Sequence, residues 1–393
     1  MNKSIRYVLV LLAAALLCLA GGCARTCSLP VQSSVAKQRA YVGTYTGAKS
    51  QGIYTFTFDA ASGELGALQL AAAAANPSFL AIHPDGQHLY CVGDIPNAAG
   101  KKVGAVSAFF MQPDGSLRLL NQQPTVGAGP CHLTVDKTGH MVLAANYGGG
   151  SVVAFPIKSD GSLGEHSAFA QHVGRSVTPR QSQPNAHSVN VSPDNRFAFV
   201  ADLGLDQVLA YKLNPAAATF ALNDPPFVKV PPGSGPRHFF FHPNGRLAYV
   251  INEIAMTVTA FRYDAKTGTL AELQTVSTLP AADQLVQPGW SCAEVVAHPG
   301  GKFLYGSNRG HDSISVFAIG DDGRLTLVQN VPSQVKVPRN FALDLSGRWL
   351  FAEGQKSDDI ALFKVDASTG RIEFTGKKFE VGSPVCVKFL PLR

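Results

Sequence analysis

The 393-residue sequence predicts an all-β fold, a seven-bladed β-propeller closed by pairing of its N- and C-terminal strands, on three observations. A unit of two short apolar runs around a Pro/Asp/Asn/Gly turn occurs six times, spaced 46 to 56 residues apart. After residue 23 no stretch carries a long apolar period of 3.6 residues. The two ends of the chain each hold an incomplete copy of the unit. Repetition at this spacing marks an array whose members bury their faces only against one another.

The copies are NPSFLAIHPDGQHLYCVGD from Asn76, GPCHLTVDKTGHMVLAANY from Gly129, AHSVNVSPDNRFAFVADLG from Ala186, GPRHFFFHPNGRLAYVINE from Gly235, CAEVVAHPGGKFLYGSNRG from Cys292 and PRNFALDLSGRWLFAEGQ from Pro338. Their runs of Val, Phe, Tyr and Leu, bounded by turn formers, read as short antiparallel strands. A third apolar segment follows most copies, as in SVVAFPI from Ser151, TVTAFRYD from Thr257, SISVFAI from Ser313 and DIALFKVD from Asp359. A polar turn and a weaker fourth segment come next, which makes each unit a four-stranded blade. YVGTYT from Tyr41 and GIYTFTFD from Gly52 lack a preceding inner strand, and SPVCVKFLP from Ser383 is an inner strand with nothing after it. Joined, they complete the seventh blade.

Residues 1–23 stand apart from this pattern. Lys3 and Arg6 precede an apolar run, Val8 to Ala20, that ends in Leu-Ala-Gly-Gly before Cys23. The run is shorter than the roughly 20 residues of a spanning helix, and small residues before a cysteine resemble a bacterial lipoprotein cleavage site. The expectation is an exported protein whose mature chain starts at Cys23, lipidated there and anchored to a membrane on the periplasmic or cell-surface side. Residues 24–38 would form a flexible tether and 39–393 the propeller. Without Lys3 and Arg6 the formal charge falls from +6 to about +4, with no Lys/Arg block, which excludes nucleic acid as an expected partner. Cys27, Cys91, Cys131, Cys292 and Cys386 form no Cys-x-x-Cys pair, so neither a disulfide framework nor a metal site is expected. They read as small buried hydrophobes. The protein is expected to act as a monomer without a cofactor.

A hairpin returns its two ends to one edge of the sheet. In the copy from Gly235 this sets Arg237 and His238 beside Asn252 and Glu253, and in a ring of blades all such ends share one rim around the central channel. Structural positions should repeat from blade to blade, and the turn residues His83, His242 and His298 do; they read as structural. The rim positions diverge. First-strand entries are Ser78-Phe79, Cys131-His132, His187-Ser188, Arg237-His238, Ala293-Glu294 and Arg339-Asn340, and second-strand ends are Gly93-Asp94, Asn146-Tyr147, Asp202-Leu203, Asn252-Glu253, Asn308-Arg309 and Gly354-Gln355. Divergence at equivalent places facing one concavity points to a single asymmetric site. Arg237, Arg309 and Arg339 suit a carboxylate or phosphate, which a guanidinium binds in a fork. The competing reading has them pair with Asp94, Asp202, Glu253 or Glu294 to hold blades together.

At these residues the chain resembles the lactonase family of seven-bladed propellers, which includes bacterial 6-phosphogluconolactonases and fungal 3-carboxymuconate cyclases. The resemblance spans about residues 38 to 393 and is carried by GTYT with a following GIY, NPSFLAIHPDG, AHSVNVSPD, GPRHFFFHPNGRLAYVINE, AEVVAHPGGKFLYGSNRG and SPVCVKF. It implies that His187, Arg237, Glu253 and Arg309 are the catalytic positions, working without a metal. The chain departs from the family in having Asn185 before Ala186-His187, and Gly93-Asp94 where Asn-Glu is common.

The expected reaction is hydrolysis of a sugar-type lactone that carries or develops negative charge. His187 or Glu253 would activate water, Arg237 and Arg309 would hold the anion and the developing oxyanion, and His132, His238, Glu294 and Arg339 would bind the remaining substrate. No G-x-S-x-G elbow is present, which favours direct attack by water over a covalent route. Two alternatives use the same rim: a carboxymuconate-type cyclase, and a surface propeller that binds without catalysis. A phosphorylated sugar lactone is a cytosolic metabolite, so an exported chain suggests an unphosphorylated or extracellular lactone.

Overall fold

The computed structural model describes residues 36–283 and 285–392; the expected signal segment, Cys23 and Cys27 lie outside them. Seven antiparallel sheets form the ring, six of four strands and one of five. Their inner strands are Phe79–Ile82, Pro130–Val135, Ala186–Val191, Pro236–Phe241, Ser291–Ala297, Pro338–Leu343 and Pro384–Pro391. The first six head blades 1 to 6 in chain order. The last belongs to blade 7, where it pairs with Lys37–Thr44 from the other end of the chain, in a register running from Gln38 opposite Pro391 to Gly43 opposite Cys386. Lys37–Thr44 pairs in turn with Gly52–Asp59, so the seventh blade is assembled from both ends.

A blade inside a ring is covered on both faces, so its second strand needs apolar residues at successive positions rather than at alternate ones. Met141–Asn146, Phe197–Asp202 and Leu247–Asn252 are buried at every residue. The fourth strands lie at the circumference and are mostly half-buried or exposed, as in Thr269–Ser277, which is why their sequence signal is weak. Aromatic pairs fill the wedges between blades: Phe199 stacks on Phe239 at 5.5 Å, and Phe58 meets Phe351 edge-on at 5.0 Å.

The turn histidines clamp neighbouring blades. Each Nδ1 accepts the backbone N–H two residues on, from Asp85 to His83 at 3.1 Å, Asn244 to His242 at 3.0 Å and Gly300 to His298 at 2.9 Å. That leaves the proton on Nε2, which donates to the carbonyl of the next blade's turn glycine: Gly139 at 2.9 Å, Gly301 at 2.6 Å and Gly347 at 3.0 Å. A side chain on those glycines would enter the imidazole; a Cβ at Gly139 would lie 2.4 Å from His83 Nε2. Other blades use other pairs for the same link, Asp136 with Asn195 and Asp344 with Gln38.

Candidate active site

The rim receives its side chains through a recurring irregularity. In blade 4, Pro236 pairs with Asn252 and His238 with Ile251, which leaves Arg237 without a partner. The same one-residue shift leaves Cys131, His187, Arg339 and Val385 unpaired in their blades, and in blade 5 the register slips between Cys292 and Val295. Strict alternation would send Arg237 and His238 to opposite faces of the sheet. A bulge breaks the alternation and re-aims side chains, and both residues line the same void at the channel mouth.

Above them opens a cavity of about 420 Å³. Its lining includes Arg180, Arg309 and Arg339 against the carboxylates of Glu253 and Asp94, with His187, Cys131, Tyr45 and Tyr147 completing the wall. Glu253 organises the cations. Its Oε2 lies 3.0 Å from Arg237 Nε and 2.8 Å from Arg309 Nη2, and its Oε1 pairs with Arg180. Arg237 also donates to the Ala293 carbonyl at 2.6 Å and Arg309 to that of Cys292 at 2.7 Å. Arg339 differs. Among the described residues no carboxylate lies within ion-pair distance of it, and its guanidinium sits over the Tyr45 ring at 5.6 Å.

Electrostatics separates the titratable groups. Burial alone would raise the Glu253 carboxyl, but the Arg309, Arg237 and Arg180 guanidiniums bring it down to about 2. Burial, with the like charges of Arg339 and Arg309, pushes Arg237 down to about 9, so it stays protonated at neutral pH. Burial first, then Arg237 and other nearby cations, hold His187 and His238 well below the ordinary histidine range, and burial with His238 and Lys388 does the same for His132. All three imidazoles are neutral at pH 7. Burial pushes the Cys131 thiol up to about 12, which removes it as a nucleophile.

Of the expected site residues, Arg237, Glu253 and Arg309 form one ion-paired cluster, and His187 and Arg339 line the open cavity. His132, His238 and Glu294 lie deeper and do not reach it. They form a buried floor: His132 packs on Phe79 at 4.1 Å, His238 meets His132 and His187 at 5.3 Å each, and its Nδ1 bonds Glu294 Oε1 at 2.9 Å. Asp202 does not line the cavity; it is bonded to His172 at 2.6 Å and to the Asn185 N–H at 2.8 Å. The described cysteines, Cys91, Cys131, Cys292 and Cys386, are free; three are buried, and Cys131 reaches the cavity wall.

Arg180 escaped the sequence reading because it stands on a connection between blades 2 and 3, outside the repeat. A single 3₁₀ turn, Pro179–Gln181, presents it. The turn is fixed by buried Gln181, whose amide donates to the Leu203 carbonyl at 2.8 Å and to Asp206 at 2.7 Å.

A ring of seven antiparallel sheets with an arginine-rich cavity at its rim defines the chain as a seven-bladed β-propeller. Residues 39–389 match the family described as lactonase, 7-bladed β-propeller, and the chain belongs to that family. It is 36% identical over 358 residues to a 6-phosphogluconolactonase of Bacillus subtilis, covering 91% of this chain and 99% of the relative. Among solved structures it is similar to a putative 6-phosphogluconolactonase from Bacteroides fragilis, at 37% identity and TM-score 0.83 over 90% of this chain and 98% of the other. It is also similar to the periplasmic gluconolactonase PpgL of Pseudomonas aeruginosa, at 32% identity and TM-score 0.84 over 91% and 100%.

Proposed function

We propose that the protein hydrolyses a sugar-type lactone, with the arginine cluster holding the anionic part of the substrate and the oxyanion formed at its carbonyl. The observation that carries this reading is Arg339, a guanidinium at the cavity wall with no ion-pair partner among the described residues. A cation left unpaired in a pocket of substrate size is available to a ligand carboxylate, phosphate or oxyanion. Glu253 is poorly suited to deprotonate water, because both its oxygens are ion-paired and its pKa lies near 2. Its role is to hold Arg237, Arg309 and Arg180 together. The proton then goes to a neutral imidazole, and water attacks the ester carbon directly.

The export signal of the sequence and the name of the periplasmic Pseudomonas relative both support a site outside the cytosol, with the chain held at a membrane through lipid on Cys23. An unphosphorylated aldonolactone is the substrate that fits that compartment. Acid release at constant pH from gluconolactone and 6-phosphogluconolactone, above the spontaneous rate, tests the reading. Arg309→Ala and Arg339→Ala are each expected to lower kcat/KM by about 10²-fold, the usual loss when one group contacting the oxyanion is removed. Equal rates in the wild type and both variants would overturn it.

A further inference from the structure

Below the open cavity lies a second void of about 10 Å³, lined by Tyr45, Ser78, Cys131 and Arg339, which it shares with the cavity above, and by Arg237, His238 and Asn340 below. That is about the volume of one water-sized sphere. His238 is 4% exposed, and its Nε2 has no hydrogen-bond partner. A buried imidazole nitrogen without a partner, on a ring that borders a polar void the size of one water, needs an explanation.

The other ring nitrogen shows what the void is for. His238 Nδ1 meets Glu294 Oε1 at 2.9 Å; the same carboxyl accepts the Val295 N–H at 2.9 Å and the Asn340 amide at 2.7 Å. Burial raises this carboxyl, and the Val295 and Asn340 donors work against the rise in favour of the charged form. A second carboxyl lies near it, because Asn340, which bonds Glu294, pairs across blade 6 with Glu353. Glu353 is fully buried, neither of its oxygens makes a well-formed hydrogen bond, and burial with the nearby Glu294 raises it well above the ordinary range. Burial raises Glu294 too, but Lys388, Arg237 and the Val295 N–H oppose the rise, whereas Glu353 has no well-formed hydrogen bond at either oxygen, so of the two acids Glu353 keeps its proton first and Glu294 is the one left to carry charge. An ionised Glu294 fixes the Nδ1–H tautomer of His238 and leaves Nε2, on a ring that lines the void, as an acceptor with no partner.

Neither other histidine of the group has this arrangement. His187 Nδ1 faces only the Cys131 sulfur at 3.7 Å, and His132 Nδ1 takes the Val189 N–H at 3.4 Å. We infer that His238, oriented by Glu294, is the general base of the site, acting on a water seated in the lower void. This inference rests on the lactone-hydrolase reading above. As the water oxygen bonds to the lactone carbonyl carbon, one of its protons passes to His238 Nε2 and the carbonyl π pair moves onto the oxygen facing the arginines. The tetrahedral species then collapses, the ring C–O bond breaks, and the departing alkoxide takes the proton back from Nε2. The products are a ring-opened hydroxy acid and the neutral imidazole, and the new carboxyl ionises into solvent.

The test uses the intact propeller with gluconolactone. His238→Gln is expected to lower kcat by about 10² to 10⁴-fold while KM stays within about threefold, and Glu294→Gln to lower kcat in the same sense with partial recovery in Glu294→Asp. Nitrogen-15 NMR supplies a readout independent of turnover: His238 is expected as the Nδ1–H tautomer in the wild type and to lose that preference in Glu294→Gln. Turnover surviving in a folded His238→Gln, a loss of kcat confined to His187→Gln, or an Nε2–H tautomer at His238 would overturn the assignment. A wild type without lactone turnover would instead overturn the hydrolase reading on which it rests.

Discussion

A chain ending at Gly382 is expected not to fold. The missing segment contains Pro384–Pro391, the inner strand of the blade that joins the two ends of the chain. Val385, Cys386 and Val387 are each 2% exposed or less, and Cys386 Sγ also accepts the Leu80 N–H of blade 1 at 3.4 Å. Burying side chains of this kind is worth about 1.5–3 kcal/mol apiece, so these three alone account for about 5–9 kcal/mol. The whole net stability of a protein is usually about 5–15 kcal/mol. The loss would also open the Lys37–Thr44 edge and the ring itself, so no partial compensation is available. Circular dichroism and urea unfolding of the shortened chain check this; a cooperative transition at the wild-type midpoint would contradict it.

Replacing Glu253 by Gln is expected to be the most damaging single substitution at the site. It removes the only charge that neutralises Arg237, Arg309 and Arg180 by direct contact among the described residues. Breaking a buried ion pair from one side costs about 3–5 kcal/mol, because the remaining charges stay buried without compensation. The depressed pKa corresponds to a similar figure: lowering a carboxyl from 4.5 to about 2 is worth about 3 kcal/mol at neutral pH. Arg237, held down at about 9, acts in the opposite sense, which makes about 3 kcal/mol the upper end for the cluster. Because the folded-state pKa is depressed, this stability is complete above the unfolded value near 4.5 and is lost as pH falls through about 2. The stability difference between wild type and Glu253→Gln should therefore be constant above about pH 5 and shrink steadily towards pH 2. Urea unfolding at a series of pH values checks it; a difference that persists unchanged at pH 2 would contradict the ionised cluster.

The ring was legible because its signal is repeated: each blade carries the same apolar hairpin and turn, and the ends complement one another. The rim was legible for a geometric reason, since a hairpin returns its ends to one edge, and Arg237 and Glu253 meet where that argument places them. Depth was not legible. His238 and Arg237 are adjacent in sequence, and only the bulge that leaves Arg237 unpaired shows that both line the same void. Arg180 had no counterpart to align with. Glu353 was visible in principle, because its place in the repeat is filled by Val92, Ala145, Ala201 and Ile251 in other blades, yet it sits one residue before the compared pair. Ser307 is the other polar residue at that place, and it accepts the Glu294 N–H at 3.0 Å.

The most direct test is a crystal structure of the propeller grown with D-gluconate, the ring-opened product of the simplest candidate lactone. The expected result is a single gluconate in the cavity of about 420 Å³, its carboxylate within hydrogen-bond distance of Arg339 and Arg309 and next to the lower void that His238 lines. A cavity empty at saturating gluconate, or gluconate bound only on the opposite face of the ring, would contradict a lactone site at this rim.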